Sequence, residues 1–363
     1  MRVLILLMGL IFLGCIRSNQ ETASHYYPTL HDVKITHAKG FHVEKTDSST
    51  MLKVNSQTSK YTFSDSLIFL KRAQSNQGKV LSRKPERIAC QSTTHATFIH
   101  ALGLADKIVG LSDMAYMPKD ELYEQLIGQK VKELSQHNTI GIENLLSVSP
   151  DIFFMYPYEW DAEKYRSVGV QTVLVAEYLE ESVIARLEWL KLFGILLEEE
   201  RKADSLFNCI KNRYDALVQR QPIQKTVFFN LPFNDIWDMP SGNSLTVNLI
   251  KDVGLSYLYN NESQSVDNLS LSKEAVWYHA HEADYWIIIA GRPQNYSLAD
   301  LIEEEAVYET FKSVKNQQVI FCNTSFSSYF TTGILEPDVM LKDLLFLTHQ
   351  IDNHTPKYFT LLR

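Results

Sequence analysis

The stretch that most constrains this chain is residues 198–221. It opens on three acids, Glu198, Glu199 and Glu200. Ala203, Leu206, Phe207, Ile210, Tyr214, Leu217 and Val218 then return at the intervals of one helical face. Acids in a first turn complement the positive end of the helix dipole, and Lys211, Arg213 and Arg220 fall toward the other end. Pro222 stops the helix. A helix of roughly two dozen residues is about 36 Å long, the width of a small domain. The sequence on its two sides differs from the helix and is similar to itself, so the pattern predicts one long strut joining two lobes.

With 363 residues the chain has room for two domains, each with its own core. An apolar fraction of 45% and a charged fraction of 21% are those of a folded protein. A net charge of −8, without a basic stripe carrying interleaved aromatics, speaks against nucleic-acid binding. The first fifteen residues read as a targeting segment, with Arg2 ahead of an apolar run from Val3 to Leu13 that is too short to span a bilayer. That run ends in Phe12-Leu13-Gly14-Cys15, which resembles a bacterial lipobox, where the cysteine thiol takes a diacylglyceryl group. Acyl chains hold by about 0.8 kcal/mol per buried methylene, so two or three of them on Cys15 anchor a protein stably. A conventional signal peptide with an incidental cysteine is the alternative. Cys90, Cys209 and Cys322 are odd in number and far apart, and are expected to be buried thiols.

Residues 16–24 are polar and aperiodic, a tether. Residues 25–84 show short alternating runs such as Phe41-His42-Val43-Glu44 and Met51-Leu52-Lys53-Val54, which predict a small N-terminal β extension. From Pro85 strands and helices alternate, as in parallel α/β packing. The expected fold is α/β, with a first lobe at 85–178, linking helices at 179–224, a second lobe at 225–354 and a tail at 355–363. Within the linking region, residues 182–193 are expected to form a helix that Gly194 ends.

One pairing repeats between the lobes. Glu143 opens a short helix that leads to Asp151 and an apolar strand, and Glu274 opens another that leads to Asp284 and its strand. Glutamates there suit simple capping of a helix dipole. Their recurrence once per lobe equally suits two acids displayed at matching ends of the molecule.

Several phrases resemble a known family. Pro85-Glu86-Arg87-Ile88 with Ser92-Thr93-Thr94-His95, and Gly141-Ile142-Glu143-Asn144-Leu145 with Ser149-Pro150-Asp151-Ile152, are similar to the first lobe of ABC-importer substrate-binding proteins of the iron-siderophore, haem and cobalamin type. Pro240-Ser241-Gly242-Asn243-Ser244 and Ser272-Lys273-Glu274 are similar to the second lobe. The N-terminal extension and Ala176-Glu177-Tyr178-Leu179-Glu180 resemble the longer, Bacteroidetes-type members. The resemblance implies two helix-linked lobes with a ligand between them, lipid anchoring in the periplasm, a monomer, and an ABC permease as partner. It implies that Glu143 and Glu274 meet arginines of that permease. The ligand it implies is an iron complex, siderophore or haem, with cobalamin as the alternative and no resident cofactor. Loops beyond the strands' carboxyl ends then face the ligand. They nominate Ser92, Thr93, Thr94, His95, Tyr116, Tyr156, Tyr158, Glu177 and Tyr178 in the first lobe, and Trp237, Ser241, Asn243, Arg292, Asn323 and Phe326 in the second. Aromatics would stack on a flat ligand, Arg292 would pair with its carboxylates, and Tyr116, Tyr156 or His95 would serve as a haem ligand.

An enzyme is a poor fit. There is no nucleophile elbow and no glycine-rich phosphate loop, and His279 and His281 are spaced so that a helix points them apart. A bare zinc or manganese binder would need three converging ligands; His95 with Glu177 offers two, and the second lobe offers few more. A lipoprotein interaction module with no ligand is the third class.

Overall fold

The structure is a computed structural model that describes residues 34–45, 49–57, 62–70, 79–80, 84–136, 139–157, 162–219, 221–262, 266 and 268–363. The targeting segment, Cys15 and Tyr158 lie outside these residues.

The N-terminal extension is a four-stranded sheet of Phe41–Lys45, Ser49–Gln57, Thr62–Leu70 and Lys79–Val80, antiparallel except for its last pair. Phe41, Leu52 and Val54 enter the first-lobe core. The extension is therefore built into that lobe.

The first lobe holds a parallel sheet in the order Thr172–Leu174, Ile152–Met155, Ile88–Cys90, Ile108–Leu111, Lys132–Glu133. The second holds Ser256–Tyr257, Thr226–Phe229, Tyr285–Ala290, Val319–Asn323 and Thr360–Leu361, parallel except for the last pair. The central strands are buried on both faces, which is why they read as unbroken apolar runs. The residues expected as a tail thus supply an edge strand, with Tyr358, Phe359 and Leu362 buried beneath it. Each lobe has its own core, one centred on Phe153 and Phe154, the other on Phe228 and Trp286. Helices Glu121–Gly128 and Ala162–Ser167 and the antiparallel pair Ile236–Pro240 with Asn268–Ser272 complete the lobes.

The strut differs from its expected form. It runs over Glu200–Asp215, 16 residues, about 24 Å at the helical rise. Glu198 adopts a left-handed φ of 57° and breaks the chain from the preceding helix, and the Gln219 amide turns to the Asp252 carbonyl at 2.9 Å. The strut still passes between lobes, since Ala203 belongs to the first core and Phe207, Ile210 and Tyr214 to the second. The helix expected to end at Gly194 is two, Val183–Glu188 and Leu190–Leu196. Ile184 and Leu187 pack in the second core, whereas Leu190 and Phe193 pack in the first. The chain therefore crosses at Glu188-Trp189 as well. Gly194 is no stop but a close approach: a β-carbon there would lie 2.6 Å from that of Ala203 on the strut.

Candidate functional site: the inter-lobe cleft

In the first sheet, strand order reverses between Ile88–Cys90 and Ile152–Met155, and ligands of open α/β sheets bind beyond the carboxyl ends at such a point. The two loops meet there. Ser92 caps the helix Thr93–Ala101, its hydroxyl accepting the Thr94 amide at 3.1 Å, and it also accepts the Tyr156 hydroxyl at 2.5 Å. That hydrogen bond ties the Gln91–His95 turn to the strand end. The Tyr156 ring sits edge-on to His95 at 5.2 Å and to Tyr178 at 5.3 Å. Ser92, Thr94, Tyr156 and Tyr178 thus form one patch over His95 and Glu177, with half-buried Thr93 beginning the helix beside them.

Beneath the patch lie two enclosed ionisable groups. His95 has no exposure, and its ring nitrogens lack a well-formed hydrogen bond; the Phe154 carbonyl and Glu177 Oε2, 3.9 Å from Nε2, face them. Burial pulls the imidazole down to about 3, the Phe154 carbonyl opposing and the Arg186 charge adding to the effect. It is neutral and sealed off, so in this arrangement it reaches no ligand. Glu177 is also unexposed, and burial raises its carboxyl while Arg186 holds it back. Glu177 Oε1 lies 3.5 Å from Arg186 Nη2.

The second-lobe expectations fare differently. Trp237 is fully buried in that lobe's core, between Phe228, Trp286 and Tyr308, and its indole donates to the Phe229 carbonyl at 2.8 Å. It offers a ligand no surface. Arg292 is paired with Glu304 at 3.2 and 3.3 Å and lies over the Tyr296 ring, so its charge is already met. Asn323 stitches its own loop together, accepting from the Arg292 and Ser325 amides and donating to the Arg292 and Pro293 carbonyls. Ser241 is buried and Asn243 half-buried at the head of the helix Leu245–Val253. Tyr116 and Phe326 stand exposed, 80% and 56%, outside the buried patch.

The lobes touch across the cleft. Thr94 donates to the Phe330 carbonyl at 3.3 Å, and Ser328 and Thr331 donate to Asp120 Oδ2 at 3.2 and 3.4 Å. Behind this contact a cavity of about 150 Å³ lies against the helix Val183–Glu188, walled by Leu245, Leu249, Tyr329, Phe330 and Met340, with Arg186 among its lining. Arg186 is not among the residues nominated from sequence; its signal there is a cation set in the apolar run Val183-Ile184-Ala185-Arg186-Leu187. Among the described residues no three His, Cys, Asp or Glu side chains converge as a metal site.

Two α/β lobes, each with a strand-order reversal, crossed by linking helices and closed over a mixed polar and aromatic patch, define a two-lobed binding protein. The chain belongs to the periplasmic binding protein family, whose sequence profile matches residues 88–325. It is 23% identical over 282 residues to an uncharacterised lipoprotein of Methanocaldococcus jannaschii, covering 75% of this chain and 67% of that one. It is 23% identical over 174 residues to an uncharacterised ABC transporter substrate-binding lipoprotein of Bacillus subtilis, covering 45% and 52%. A periplasmic binding protein of Veillonella parvula superposes with a TM-score of 0.62 at 19% identity, over 83% of this chain and 99% of that one. A periplasmic haem-binding protein of Pseudomonas aeruginosa gives 0.59 at 14%, over 77% and 98%. The vitamin B12 binding protein of Vibrio cholerae gives 0.53 at 18%, over 74% and 99%. At these identities the structural likeness concerns the fold.

Proposed function

We propose that this protein is the substrate-binding lipoprotein of an ABC importer, and that it captures an intact iron complex, siderophore or haem, between its lobes. The observation that carries this reading is the Ser92–Tyr156–Tyr178 patch at the first lobe's strand-order reversal, beside which Thr94 and Asp120 meet second-lobe residues 328–331. Support comes from the Bacillus relative, named a transporter substrate-binding lipoprotein, and from structural neighbours named for haem and for vitamin B12. Cobalamin remains the alternative cargo. Lipidation of Cys15 would hold the mature protein at the periplasmic face of a membrane. Glu143 and Glu274, both exposed in the first turn of short helices, would dock the loaded protein on arginines of the two permease halves.

The visible spectrum of protein purified from its own host tests the cargo. A broad ferric-chelate band or a Soret band is expected. A corrin spectrum would replace iron by cobalamin, and a protein that stays colourless after exposure to all three would contradict the reading.

A further inference from the structure

Arg186 is the one charged residue lining the cavity among the described residues. A guanidinium carries five N–H donors. Here Nε is buried without a hydrogen bond, and Nη2 makes only two long contacts, 3.5 Å to Thr94 Oγ1 and 3.5 Å to Glu177 Oε1. Water does not reach Nε, and the side chain as a whole is only 18% exposed. Glu177 touches it at one nitrogen and from the first-lobe side, which orients the group without saturating it. A largely buried cation whose Nε is unmet and whose Nη2 is only loosely held suits an anionic partner, and a planar, two-oxygen acid matches the guanidinium fork. The opposite walls, Leu245, Leu249 and Met340, are apolar, and Tyr329 and Phe330 add two rings.

The volume sets the size of that partner. A cavity of about 150 Å³ is of the size that admits one benzene ring, well below the roughly 300–1,000 Å³ of a site that encloses a whole drug-sized ligand. The metal centre of a chelate therefore does not fit. We propose that this cavity is a side pocket that takes one anionic, ring-sized arm of the cargo, its carboxylate or phenolate oxygens on Arg186 and its ring against Leu249 and Met340. The metal centre stays in the cleft, on the far side of the Thr94–Phe330 contact. This rests on the reading of the cleft as a chelate site and adds the chemical class of the arm.

The test uses the full-length protein and calorimetric titration. Benzoate and 2,3-dihydroxybenzoate serve as isolated arms, benzamide as the neutral isostere, and the ferric complex of 2,3-dihydroxybenzoate, haemin and cobalamin as whole cargoes. Wild-type protein should bind benzoate or 2,3-dihydroxybenzoate at least tenfold more tightly than benzamide, a comparison that needs no variant. Arg186→Met should lose at least tenfold for the acids, and Arg186→Lys should recover part of it. Equal affinity for benzoate and benzamide, or no binding of either acid, would overturn the pocket. If a chelate binds wild type and Arg186→Met alike, the arm pocket falls while the cleft reading stands. If the isolated acids bind and no chelate does, the arm assignment and the cleft reading fall together.

Discussion

Asp284 opens the central strand of the second lobe and gathers the Thr226 amide at 2.9 Å and the Lys225 and Lys312 ammoniums at 3.1 Å each. Burial opposes its ionisation, but the Thr226 amide and the two lysines outweigh it and draw the carboxyl from 3.8 down to about 2. A carboxylate whose folded pKa is depressed gives stability that is fully present above its unfolded value and is lost as pH falls through the folded one. Asp284→Asn should therefore lower urea stability at neutral pH and flatten its decline between about pH 4 and pH 2; parallel acid profiles for the two proteins would contradict this. Asp151 does the matching work in the first lobe, its Oδ2 accepting the Glu86 and Arg87 amides at 2.9 and 3.0 Å. The echo between the lobes was legible in the sequence, and the structure shows that its aspartates each pin the start of a neighbouring strand. What residue type did not reveal is the partner. An arginine on a second-lobe loop suggested a ligand carboxylate, yet Glu304 already holds Arg292. A tryptophan near the cleft suggested a stacking platform, yet strand alternation turns Trp237 inward between exposed Ile236 and Asp238.

Between elements, a buried polar joint clasps the N-terminal extension to the linking helices. Glu188 is unexposed and accepts the Thr36, His37 and Ala38 amides at 2.6–3.0 Å. Glu180 accepts the Lys39 and Gly40 amides and the Trp189 indole. Gly40 lets the backbone lie on Trp189, since a β-carbon there would be 2.6 Å from Cζ2. Removing the Glu188 carboxylate strands three amides and takes from the Lys191 ammonium one partner at 3.1 Å, leaving it Asp204 and the Lys34 carbonyl. Glu188→Ala should cost on the order of 3 kcal/mol in chemical denaturation at neutral pH; a loss below about 1 kcal/mol would mean the clasp is not what holds the extension. This joint was invisible in the sequence because its partners lie some 140–150 positions apart. Strand and helix types were legible from their periods. The break at Glu188-Trp189 was not, because Val183 to Leu196 stays apolar enough to read as one helix that alternately serves two cores.

For the whole molecule, the two lobes meet through the linking helices and through contacts that include Thr94–Phe330 and Asp120–Ser328; under the proposed function, cargo would enter by parting those two contacts. Glu143 and Glu274 take no part in those contacts, so the proposed docking role is testable apart from binding. The double variant Glu143→Arg, Glu274→Arg should abolish uptake in a reconstituted transporter while cargo affinity stays unchanged; normal uptake would return both residues to helix capping. The most direct test of the cleft as a metal-complex site is calorimetric titration of the mature protein with a ferric catecholate, a ferric hydroxamate, haemin and cobalamin. One of these should bind with one-to-one stoichiometry and a Kd of about 1 μM or tighter, near −8 kcal/mol. Absence of binding to all four would contradict the assignment of the cleft as the site of a metal complex.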